Sequence, residues 1–111
     1  MANGLLAWRV PKLPHGVRWA QKEARKHLRD ALVFARAANK RARGCMDEIR
    51  WLSEGKARAS TAAFMARAAG PTSWTLARRA FRVRDKIGDR FEVAVLRCVV
   101  RGQRVSPGKG W

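Results

Sequence analysis

From Val17 to Arg43 the chain carries neither glycine nor proline, and apolar residues return at three- and four-residue spacing: Val17, Ala20, Ala24, Leu28, Ala31, Ala35, Ala38 and Ala42. A helix brings such positions onto one face. Ala suits a helix because it loses no side-chain freedom there. It also leaves little bulk, so this face predicts close packing against another helix rather than a thick core. Gly44 follows as the expected residue just past the helix end. A chain of 111 residues built on such a segment is one small domain of closely packed helices.

A second face of the same segment reads Arg18, Lys22, Arg25, Arg29, Arg36, Lys40 and Arg43, with Lys26 and Arg41 beside it. Solvated faces normally mix both signs of charge, but here only Glu23 and Asp30 dilute the cations. The spacing suits a stripe that tracks a phosphate backbone. The whole chain has 25 Lys and Arg against 8 Asp and Glu, a net charge of +17. A compact body with that charge repels itself and favours a polyanionic partner. Arginine supplies most of the cations, and its planar fork grips phosphate bidentately where Lys acts as a point charge. The 47% apolar content and five Trp separate the chain from disordered basic tails.

The remaining sequence divides around this element. Residues 1–16 form an extended basic arm, because Pro11 and Pro14 remove backbone donors and push their predecessors toward extended geometry. Residues 17–102 form the helical domain, and 103–111 a Gly/Pro-containing tail. Within the domain, Cys45 to Ser53 is a short helix with Asp47 and Glu48 in its first turn, where the helix dipole favours anions. Gly55 is expected to break or bend it. Lys56 to Ala69 continues as an Ala-rich helix stopped by Gly70-Pro71. This is the least basic region, and it is expected to face protein.

Thr72 or Ser73 is the expected cap of the next helix, which runs to about Ile87 and ends at Gly88. Arg78, Arg79, Arg82, Arg84 and Lys86 give it a dense basic surface. Residues 89–101 contain four valines, which favour a strand. Asp89 and Glu92, however, have capping-box spacing, and no other segment offers a strand to pair with, so a helix ending at Gly102 is predicted. The fold class is therefore mainly α: an Ala/Arg-rich bundle or helical hairpin of about four helices, with an N-terminal arm and a C-terminal tail. Trp51 and Trp74 fall in helical patterns and are assigned to the core. Trp8, Trp19 and Trp111 lie in or near the tails and are the candidate protein-interface residues.

Reaction chemistry is sparse. There is no Tyr, and the eight carboxylates are scattered. No GxGxxG, Walker or HExxH pattern occurs. The expectation is a protein that is not an enzyme, with no catalytic residue, no cofactor and no small-molecule substrate. Cys45 and Cys98 lack ligand spacing, so no metal is expected; reduced thiols and one disulfide are both compatible with the sequence. His15 and His27 are read as surface or phosphate-facing residues. No apolar run is long enough to span a membrane.

The arm Trp8–Trp19, the stripe Arg18–Arg43 and the cluster Arg78–Lys86 together resemble the small basic accessory proteins of the mitochondrial ribosome, in composition and architecture over the whole chain. The resemblance implies a structural ribosomal component, active in translation, that packs against neighbouring ribosomal proteins. Its rRNA-binding residues would be Arg9, Lys12, Arg18, Lys22, Arg25, Arg29, Arg36, Lys40 and Arg43, with Arg78, Arg79, Arg82, Arg84 and Lys86. Recognition would be of RNA shape rather than base sequence. The implied location is the mitochondrial matrix. The acid-free start before Glu23 is similar to a transit peptide, yet its lack of Ser argues against a cleaved one. Two other readings share these features: a supernumerary, non-catalytic subunit of a respiratory complex or ATP synthase, and a small DNA-compacting protein.

Overall fold

The computed structural model describes residues 16–102. Three helices, α1 (Gly16–Lys40), α2 (Cys45–Ala68) and α3 (Trp74–Val100), follow one another, with a single 3-10 turn at Pro71–Ser73 before α3. The described residues contain no strand. Links of a few residues make consecutive helices antiparallel neighbours. α2 packs along both others, while α1 and α3 run parallel and meet each other less extensively.

The core is built in layers along the bundle. At one end Ala24, Ala66 and Ala77 meet, one from each helix. Leu28, Ala62, Ala63 and Ala80 form the next layer. The other end holds the bulkier group, with Ile49, Leu52, Ile87 and Phe91 around Ala31, Ala35 and Ala94. The buried face of α1 is Ala20, Ala24, Leu28, Ala31, Ala35 and Ala38, the middle of the predicted face; at its ends Val17 is exposed and Ala42 lies beyond the helix.

Three helices stand where about four were expected, because neither Gly55 nor Gly88 interrupts its helix. A glycine inside a helix costs only about 1 kcal/mol relative to Ala, and tertiary packing offsets it. At Gly55 the reason is visible: a Cβ there would lie 3.2 Å from the Ala31 carbonyl oxygen and 3.3 Å from the Phe34 Cβ. The absent side chain lets α2 approach α1. Residues 89–101 continue α3 as a helix almost to their end, and Gly102 takes φ +74° beyond it, as expected of a terminating glycine. α1 stops at Lys40, earlier than expected, and Gly44 serves instead as the residue preceding α2.

Ser73 occupies the N-cap position of α3 but makes no side-chain cap bond. Its buried hydroxyl instead accepts a hydrogen bond from Gln21 Nε2 at 2.8 Å, joining α1 to the start of α3. Arg90 supplies the second α3-to-α1 link, donating to the Ala35 carbonyl at 3.3 Å and to the Asn39 side chain. Cys45 and Cys98, both buried, form a disulfide between the first turn of α2 and the last turn of α3. Spacing in sequence left their pairing open; antiparallel packing of α2 and α3 brings them together.

Candidate nucleic-acid interface

The contacts between α1 and α3 show which flank of each helix faces the other. On α1, Gln21 and Asn39 reach α3 and its preceding turn. Arg18 and Arg25 stand one turn to either side of Gln21, Lys22 is adjacent, and Arg36 precedes Asn39 by one turn. Residues three and four apart share a helix face, so the exposed stripe Arg18, Lys22, Arg25, Arg29, Arg36 and Lys40 borders the α3 side of α1. On α3, Arg90 reaches α1. Lys86, Arg82 and Arg79 lie four, eight and eleven residues before it, on the same side and exposed. The two basic sets, far apart in sequence, flank one surface between α1 and α3.

Most of the described carboxylates lie elsewhere. Asp30 pairs with Arg58 of α2 at 3.3 Å, and Glu54 on α2 approaches the same Arg58 at 3.8 Å. Glu48 of α2 takes Arg97 at 2.8 Å. Asp47 accepts from the Arg43 backbone N–H at 3.1 Å and from the Arg50 guanidinium. The Arg43 N–H first, and then Arg50, hold the Asp47 carboxyl below its ordinary value. Asp85, Asp89 and Glu92 line a depression shared with Lys56 and Ser60 of α2, on the far side of α3. Glu23 stands near His27, at 3.9 Å. The α1–α3 surface is left cationic along most of its length; of the described carboxylates only Glu48 reaches it, at the end where it shares a depression with Asn39 of α1 and Arg97 of α3.

Several sequence expectations change. Arg43 lies beyond the end of α1 and leaves the stripe. Arg84 turns toward Asp85, with hydrogen bonds of 3.0 and 3.3 Å, and covers the Phe81 ring at 4.9 Å. It is a partly neutralised member of its cluster. His27 is half-buried against Glu23 rather than phosphate-facing. Trp51 packs on the core beside Phe34, with ring centroids 5.5 Å apart. Trp74, by contrast, is 50% exposed and is not a core residue. It opens α3 on the outer side of the helix, a placement that a pattern of three- and four-residue spacings could not distinguish from the buried flank. Trp19 is half-buried on α1. Arg9, Lys12, Trp8, His15 and Trp111 lie outside the described residues, as do the arm up to residue 15 and the tail from 103.

Among the described residues no group of three His, Cys, Asp or Glu is placed to hold a metal ion. None of the described helices is long and apolar enough to cross a membrane. Compared with known proteins, the chain matches no family model, no curated protein and no solved structure.

Proposed function

We propose that this chain is a structural RNA-binding protein that lays its α1–α3 surface on the phosphate backbone of a folded RNA. One observation carries the reading: cations from two helices converge on a surface that, among the described carboxylates, only Glu48 reaches, at one end where it pairs with Arg97. Arg and Lys there neutralise phosphates and release condensed counterions, which makes affinity fall steeply with salt. Rigid parallel helices offer cations at fixed spacing, a geometry suited to RNA shape.

The ribosome, and the mitochondrial ribosome in particular, is the setting that the resemblance implies, with rRNA as the ligand and the protein acting without catalysis. Packing against a neighbouring ribosomal protein is supported by the other end of α3, where Val93, Leu96, Val99 and Val100 are exposed.

The test is charge reversal of Arg25, Arg29 and Arg82 to Glu, measured by filter binding to rRNA fragments and by sedimentation with and without nuclease. The variant is expected to keep its helical circular dichroism and to lose RNA binding at physiological salt. Retained binding would overturn the reading. Co-sedimentation with bulk DNA, insensitive to ribonuclease, would favour the DNA-compacting alternative.

A further inference from the structure

Around the outside of α3, Arg82 and Arg78 continue the basic surface toward a groove between α2 and α3. The groove has a volume of about 260 Å³ and is lined by Arg67, Trp74, Ala77, Arg78 and Phe81. Trp74, Arg78 and Phe81 are four and three residues apart and share one side of α3. Arg67 comes from α2, and Phe64, one turn before it on the same helix, is also exposed. No carboxylate lines this groove. Its size falls below the ~300–1,000 Å³ of ordinary small-molecule sites, so it suits one planar ring rather than a cofactor.

We propose that this groove receives an unpaired nucleobase of the bound RNA, stacked on Trp74, with its flanking phosphates held by Arg67 and Arg78. The proposal rests on the RNA-binding reading and adds to it a preference for single-stranded segments. A half-exposed indole leaves apolar surface in water that a flat aromatic ring can cover, and every base offers such a face. The two guanidinium groups match the phosphates on either side of a splayed base and can also stack on it. A protein helix would offer no complement to these charges without carboxylates of its own. A base carries its anions with it.

The experiment uses the full chain and three probes: an eight-nucleotide oligo(U), an RNA duplex and heparin. Trp74→Ala is expected to weaken oligo(U) binding by about 10-fold, within the range found when a stacking aromatic is removed, and to leave heparin and duplex affinity unchanged. Trp74→Phe, which keeps a ring, is expected to retain most of the oligo(U) affinity. Circular dichroism checks that both variants keep the wild-type fold. Equal oligo(U) binding by wild type and Trp74→Ala would overturn the groove assignment while leaving the RNA-binding reading intact. An equal loss for all three probes would also overturn it, because the indole would then act through the fold. Failure of the wild type to bind any probe would overturn both.

Discussion

Cys45, the first residue of α2, is joined to Cys98, in the last turn of α3, with their Cα atoms 5.5 Å apart and 53 positions apart in sequence. The bond closes the helical hairpin at the end where the bulkier core residues gather. Much of the remaining core is Ala, and each buried methyl contributes little hydrophobic stabilisation. A covalent tie that closes the whole α2–α3 hairpin therefore carries weight that large side chains carry in other small domains.

Reduction, or replacement of both cysteines by Ala, is expected to lower stability by about 2–4 kcal/mol, the range typical of closing a loop of this kind. The denaturant midpoint with and without reductant measures this. An unchanged midpoint in the wild type would contradict it. Disulfides persist in oxidising compartments, so thiol trapping in cell extracts reports whether the protein resides in one.

Gly55 and Gly88 stand at comparable places inside their helices and are expected to respond oppositely to Ala. At Gly55 the new Cβ would press on the Ala31 carbonyl oxygen, a backbone atom that cannot swing aside. Gly55→Ala is expected to destabilise by about 1 kcal/mol despite its better helix propensity. At Gly88 a Cβ meets only the flexible Lys56 side chain, at 3.7 Å. Gly88→Ala is expected to stabilise by about 0.5–1 kcal/mol. Thermal melts of the two variants beside the wild type would test both signs.

Asp47 links pH to the α1–α2 connection. Its carboxyl is held below the ordinary aspartate value of 3.8 by the Arg43 N–H and by Arg50. A folded value below the unfolded one means that the ionised carboxylate favours the native state at pH above 3.8, and that this contribution is lost as pH falls through the lower folded value. Asp47→Asn is expected to unfold at lower denaturant than the wild type near neutral pH, with the two curves converging in strong acid. A difference that persists undiminished in acid would rule out a role for the charge.

Phosphate contacts by the α3 cations predict a specific salt response. Each contact removed is expected to flatten the dependence of log affinity on log salt by about 0.7–0.9. Replacing Arg79 and Arg82 by Gln is expected to reduce that slope by about 1.5 and to weaken all RNA sequences alike. Titration at several salt concentrations measures it. An unchanged slope would remove these two residues from the interface.

The Ala face of α1 and its basic stripe were legible in the sequence because both are local: every residue concerned lies within one helix, and helical period alone assigns it a face. The helical state of 89–101 was legible for a similar reason, through the Asp89–Glu92 spacing and the terminating Gly102. The continuity of α2 and α3 was not. A glycine lowers helix stability locally, and only the approach of α1 to Gly55, across distant sequence, outweighs that cost. Trp74 was misplaced because periodicity gives relative positions on a helix without saying where the buried sector ends. Pairing of Cys45 with Cys98, and the meeting of the Arg18–Lys40 stripe with Arg79, Arg82 and Lys86, depend on how three helices stack. By itself the sequence determined helix identity and the amount of positive charge. Tertiary structure decided where that charge is gathered, because only the parallel placement of α1 and α3, both packed on α2, joins two separate stripes into one surface.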